Sequence, residues 1–141
     1  METVRIALAN IQFPATPDES VTLAEQAIAQ ASIEGADLMC FPECFVPGYR
    51  ATGKPIPAPD QAFLDRAWSA VAAAASKANV AVILGTERIV TNASLITTLV
   101  IDRDGTIAGF QDKVQLDPSE EPTFTAGSVR RRPRWRGRTA R

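Results

Sequence analysis

Histidine is absent from this 141-residue sequence, and cysteine occurs only at Cys40 and Cys44. Without a histidine or a second cysteine pair, the usual thiolate and imidazole ligand sets do not form, so no metal and no cofactor is expected. The two cysteines flank a strand exit at Pro42, which should hold their side chains apart. A disulfide is not expected, and so sparse a pair suits a reducing cytoplasm. Long apolar runs are also missing: nothing approaches the ~18 residues of a membrane span. The N-terminus has no basic segment ahead of an apolar one, so a signal peptide is not expected and the predicted location is cytoplasmic. Asn92-Ala93-Ser94 matches a glycosylation sequon but carries no weight without a secretion signal.

What is present describes a soluble globular chain, with 45% hydrophobic and 22% charged residues. The length suits one domain with a real core. The net charge of -1 hides a split. Residues 1–128 hold all sixteen acids and eight Lys or Arg, while residues 129–141 hold seven Arg and no acid. An acidic body therefore carries a strongly basic tail.

Val4 to Ala9 alternates as a strand should. Thr16-Pro17-Asp18-Glu19 then reads as a capping box with Pro17 at the first helical position. The helix it opens places Leu23, Ala24, Ala27, Ile28 and Ala31 on one stripe and stops at Gly35. Leu38 to Phe41 is an apolar strand ended by Pro42. The loop Pro47 to Pro59 has four prolines and two glycines, and a loop of that length in a compact domain is usually functional. A second helix is predicted over 60–78, with Phe63, Leu64, Ala67, Trp68, Val71, Ala72 and Ala75 inward. Strands follow at Val80–Leu84 and Ser94–Ile101, a turn at Asp102–Gly105, and a returning hairpin strand at Thr106–Phe110. This order implies an α/β protein with two helices covering one face of a mixed sheet. The strand Leu95–Ile101 is apolar enough to need cover on its other face, and no further element remains to supply it.

The most informative stretch is Phe41-Pro42-Glu43-Cys44-Phe45-Val46-Pro47-Gly48-Tyr49. Glu43 follows a strand directly, at the mouth where open α/β sheets usually bind ligands. Walls of Phe45, Val46 and Tyr49 would disfavour a charged carboxylate, the usual way a glutamate becomes a general base. Read alone, Glu43 is equally a solvated loop acid. The hairpin Asp102-Arg103-Asp104-Gly105 and the segment Gly109 to Gly127, which contains Asp112-Lys113-Val114 and Pro118-Ser119-Glu120-Glu121, follow in order.

With these three motifs the chain resembles the nitrilase or carbon-nitrogen hydrolase superfamily over residues 4 to about 128. The resemblance implies the N-terminal half of an α-β-β-α sandwich and a Glu-Lys-Cys mechanism acting on a small amide, carbamoyl compound or nitrile. It implies Glu43 as general base, Lys113 as oxyanion stabiliser and Glu120 as the second glutamate, with Glu121 taking that role if the register slips by one. The chemistry is consistent with those assignments. A thiol must lose its proton to attack, and attack on an amide or nitrile carbon builds negative charge that a fixed ammonium stabilises.

The departure from the family lies in the nucleophile. The resemblance places that cysteine some tens of residues after the Gly127 position, and the sequence stops at Arg141. Cys40 belongs to a buried strand, and Cys44 should point away from Glu43. The chain is therefore expected to be inactive alone: a truncated hydrolase domain over 1–128 and a non-homologous arginine-rich tail over 129–141. The tail has the Arg, Pro, Gly, Ala and Trp composition of G/C-rich DNA read out of frame, so a frameshift near residue 128 is expected. Two other readings stay open. One is a catalytically dead module that pairs with itself or a partner through the exposed sheet. The other, less favoured, is a nucleic-acid binder whose tail arginines neutralise phosphate while Trp135 stacks on a base.

Overall fold

The computed structural model of the chain describes residues 3–50 and 56–128. The arginine-rich tail, with its frameshift and nucleic-acid readings, and positions 51–55 of the proline-rich loop lie outside the described residues. The elements are β1 (Ile6–Leu8), α1 (Pro17–Ile33), β2 (Leu38–Cys40), α2 (Gln61–Ala78), β3 (Ala81–Val90), β4 (Ala93–Ile101) and β5 (Ile107–Asp112). They form one sheet in the order β1-β2-β3-β4-β5. β1, β2 and β3 run parallel, each joined to the next by a crossover, while β4 and β5 return antiparallel. This is the mixed α/β arrangement expected from the alternation of strand and helix signals.

Each helix begins and ends for a local reason. The Thr16 hydroxyl accepts a bond from the Glu19 amide (3.1 Å). The Glu19 carboxylate turns back to the amide of Ala15, one residue earlier than in a reciprocal capping box. Gly35, with φ +72°, lets the chain leave α1. Asp60 caps α2 through the Ala62 amide (2.9 Å), and Asn79 ends it in the left-handed region.

Side chains alternate across the sheet, so each strand has two faces. Val82, Leu84, Leu99 and Ile101 meet Ile28, Leu64 and Val71 of the helices in the main core, all fully buried or nearly so. Trp68 completes this layer by stacking near Phe110 (5.1 Å between rings) and donating its indole N–H to Thr86. The opposite face carries Ile6, Leu8, Leu38, Cys40 and Ile83 in register. No element among the described residues covers it, and Leu8 is 76% exposed and Ile6 54%. The two-helix, one-face arrangement is thus as expected. The second face is open along β1 and β2, but at Glu87 and Ile96 it is covered by Cys44 and Phe124, a cover the sequence reading did not find.

Two strands are longer than their apolar runs. β3 does not stop at Leu84 but continues through polar residues to Val90, paired with β4 along its whole length. The Thr91-Asn92 connection, with both residues at positive φ, is a tight hairpin turn that sets this register. β5 likewise extends to Asp112, where Arg88 of β3 holds the carboxylate in a doubly bonded pair. Among the described residues no helix is long and apolar enough to cross a membrane.

The one-sided core makes a direct prediction. Leu84→Ala, on the helix-covered face, should cost about 2–5 kcal/mol in chemical denaturation. Leu8→Ser, on the bare face, should change stability by less than about 0.5 kcal/mol.

Candidate active site

The site begins with a departure of the chain from the sheet. Phe41 still pairs with β3 through its amide to the Ile83 carbonyl (2.9 Å), and Val46 rejoins at the Gly85 carbonyl (3.2 Å). Residues 42–45 arch over the uncovered face between those bonds, with Cys44 at positive φ. Gly85 permits the arch. A Cβ there would lie 1.9 Å from the Pro42 carbonyl oxygen and 2.8 Å from the Glu43 Cα. Glycine inside a strand marks this kind of close backbone approach.

The arch carries Glu43 from β2 towards the far side of the sheet, where Lys113 follows β5. The Lys113 amide is fixed on the Ile96 carbonyl (2.9 Å), and its own carbonyl accepts from Gly127 (2.9 Å). Its ammonium reaches Glu120 Oε1 at 2.8 Å and Glu43 Oε2 at 3.1 Å. Glu120 sits in a turn whose carbonyl accepts from Thr123 and Phe124, and Phe124 packs with Cys44 and Ile96 beneath the arch. Its second carboxylate oxygen accepts from the Asp117 amide (2.8 Å), and the Tyr49 hydroxyl donates to the first (3.0 Å). Glu43, Lys113 and Glu120 are therefore brought together, and Glu120 rather than the exposed Glu121 faces the lysine.

Burial divides the three. The side chains of Glu43, Lys113 and Glu120 are 45%, 28% and 4% exposed. Burial of Glu120 disfavours its charge, yet the bonds from Lys113, the Asp117 amide and Tyr49 outweigh that and hold its carboxyl below the usual range. Lys113 is pushed above the ordinary lysine value, first by its bond to Glu120 and further by Glu43, against partial desolvation. Tyr49 is pushed up by burial and by its bond to Glu120. The ammonium remains charged at neutral pH. Three carboxylate oxygens surround it, Glu120 Oε1 at 2.8 Å and both oxygens of Glu43 at 3.1 and 3.2 Å. It borders a shallow cavity of about 300 Å³ lined by Phe41, Glu43, Gly85, Ile96, Thr98 and Lys113.

The two free thiols stand in different surroundings. Cys44 is fully buried, and its thiol is pushed far up, first by desolvation and then by the surrounding Glu87, Glu43 and Glu120 charges. Cys40 stands on β2, outside the cavity lining, and burial raises its thiol as well.

The apolar rim expected around Glu43 is not there. Phe45 and Val46 turn into the main core, and Tyr49 packs against Cys44, Ile96 and Phe124 while its hydroxyl donates to Glu120. Sequence reasoning also missed Arg50, whose guanidinium donates two parallel hydrogen bonds to the 1% exposed Glu87. A tyrosine and an arginine at the entry to a proline-rich loop gave no periodic pattern to read.

A family model for carbon-nitrogen hydrolases matches residues 5–136, running into the first residues of the arginine-rich tail. The chain belongs to the carbon-nitrogen hydrolase family. It is 28% identical over 127 residues to an arylacetonitrilase of Aspergillus oryzae, covering 81% of this chain and 36% of that one. It superposes on the NitN amidase of Nesterenkonia sp. AN1 with a TM-score of 0.78 at 26% identity, covering 90% of this chain and 51% of the amidase. A glutamate-to-glutamine mutant of that amidase, in which acrylamide has added to the active-site cysteine, aligns with a TM-score of 0.76 at 26% identity over the same shares. This carbon-nitrogen hydrolase chain thus spans about half the length of the amidase and about a third of the arylacetonitrilase.

Two outcomes test the geometry. Gly85→Ala should displace Pro42 and Glu43 and remove the Glu43–Lys113 contact, read as a shift of the Lys113 ammonium resonance without loss of the fold. An unshifted resonance would contradict the arch. The depressed carboxyl of Glu120 contributes stability that is complete above its unfolded value near 4.5 and is lost as pH falls through the lower folded value. The acid limb of a stability–pH curve should therefore be shallower in Glu120→Gln than in the unmodified chain.

Proposed function

We propose that this chain supplies the acid–base and oxyanion part of a carbon-nitrogen hydrolase site and does not hydrolyse substrate by itself. The observation that carries the reading is the convergence of Glu43, Lys113 and Glu120, from segments up to 77 residues apart, on one rim of the bare sheet face. In this reading Glu43 takes the proton of a cysteine thiol as the sulfur attacks the carbon of an amide or nitrile. The Lys113 ammonium meets the negative charge that develops on the substrate oxygen or nitrogen. With an amide, Glu43 then returns the proton to the departing amine, and later takes one from the water that opens the thioester. With a nitrile the proton goes to the nitrogen to give a thioimidate, and one further water releases ammonia before the thioester is opened. Glu120 holds Lys113 charged and oriented throughout.

The substrate class is a small amide or nitrile, supported by the likeness to an arylacetonitrilase and to an amidase solved with butyramide in a cysteine-to-alanine mutant. The tetrahedral adduct would form over the cavity beside Gly85 and Thr98. The thiol is not expected from Cys44 or Cys40, for the reasons of burial and charge given above, and its absence makes the 141-residue chain catalytically silent. Residues 1–128 act as the hydrolase portion and 129–141 as a separate tail. A cytoplasmic location remains part of this reading, consistent with the free thiols.

The exposure of Ile6 and Leu8 favours a second reading, in which the bare face pairs with another copy or a partner protein and the site is silent. Ammonia release from butyramide separates the readings of activity. The unmodified chain should not exceed a Glu43→Gln control, and turnover above that control would contradict the inactivity proposed here. Sedimentation of the same sample should show species larger than a monomer; a single monomeric species would count against pairing through the bare face.

A further inference from the structure

Tyr49 and Arg50 are neighbours in sequence but make their polar contacts in different places. Tyr49 donates to Glu120 Oε1 at 3.0 Å. Arg50 places Nε on Glu87 Oε2 (2.8 Å) and Nη2 on Oε1 (2.7 Å), the two parallel bonds of a guanidinium–carboxylate fork. Its remaining Nη1 donates to the Ile56 carbonyl (3.3 Å) and to that of Pro57. One side chain therefore ties both ends of the loop to β3.

The anchor is rigid for a physical reason. Glu87 is 1% exposed, and a carboxylate that deep is strongly destabilising without its cation. Glu87 also lies opposite Ile96 in the β3–β4 register, and the Ile96 carbonyl holds the Lys113 amide. The segment that presents Tyr49 and the segment that presents Lys113 are thus referred to the same pair of strand residues.

We propose that Arg50 is a positioning residue of the site: by clamping the loop to Glu87, it sets the backbone from which Tyr49 reaches Glu120. A lysine in its place would keep the charge but not the fork or the two carbonyl contacts. Loosening residue 50 moves residue 49, and a hydrogen bond at 3.0 Å does not survive a displacement of about 1 Å. The catalytic consequence rests on the hydrolase reading above; the positioning itself does not.

Tyr49 is the only tyrosine in the sequence, so phenolate absorbance during an alkaline titration reports it alone. In the unmodified chain its midpoint lies above the ordinary phenol value, through burial and the Glu120 bond. Glu120→Gln should lower the midpoint, and Tyr49→Phe should abolish the signal. Arg50→Lys, shown folded by circular dichroism at each pH, should lower the midpoint at least as far as Glu120→Gln does. A folded Arg50→Lys with an unchanged midpoint would overturn the proposal. If Arg50→Lys does not fold, Glu87→Gln is titrated in its place with the same criteria. Failure of both variants to fold would assign the pair a purely structural role and also overturn it. Because no turnover is read, these outcomes are independent of whether the chain belongs to a working hydrolase.

Discussion

An ammonium held between two carboxylates organises this molecule's functional side. Glu43 and Glu120 would repel one another across the rim of the sheet, and Lys113 turns that repulsion into a cluster with one net negative charge. The arrangement depends on each layer below it. Glu120 stays charged while 4% exposed only because Lys113, the Asp117 amide and Tyr49 all donate to it. Glu43 arrives only because Gly85 lets the chain cross over β3. Lys113 is aimed only because the β4–β5 hairpin ends beside Ile96. Remove Lys113 and two like charges are left facing each other.

The same sheet sets how the cluster meets solvent. Its covered face holds the core, and its bare face holds the site. A fixed ammonium stabilises a developing oxyanion most where water is excluded, and with Glu43 45% exposed water has free access. The Cys44 thiol is fully buried near the Glu87, Glu43 and Glu120 carboxylates, which disfavour its thiolate. In the amidase of Nesterenkonia, about twice as long, a cysteine at the active site takes up acrylamide.

Much of the frame was legible in the residues. Thr16, Glu19 and Gly35 announced α1, and the stripe from Leu64 to Ala75 announced α2, because caps and helical spacing are local signals. The bare face followed from an apolar strand with nothing left to cover it. What the sequence hid was non-local. The polar half of β3 reads as loop until Arg50, Trp68 and Asp112 are seen to satisfy Glu87, Thr86 and Arg88. Tyr49 reads as a hydrophobic rim until Glu120, 71 residues later, accepts a hydrogen bond from its hydroxyl. Glu43, Lys113 and Glu120 were legible through motif order, which a family resemblance supplies. Their distances and unequal burial were not, since these depend on a glycine in a neighbouring strand.

The account stands on Lys113 being energetically coupled to both glutamates, and a double-mutant cycle measures that coupling directly. Lys113→Met would be combined in turn with Glu120→Gln and with Glu43→Gln, and unfolding free energies obtained from denaturant titration. The predicted coupling to Glu120 is about 1–3 kcal/mol, and that to the half-exposed Glu43 is below about 1 kcal/mol. A coupling to Glu120 indistinguishable from zero, in variants that keep the fold, would mean the three charges are neighbours without being a site.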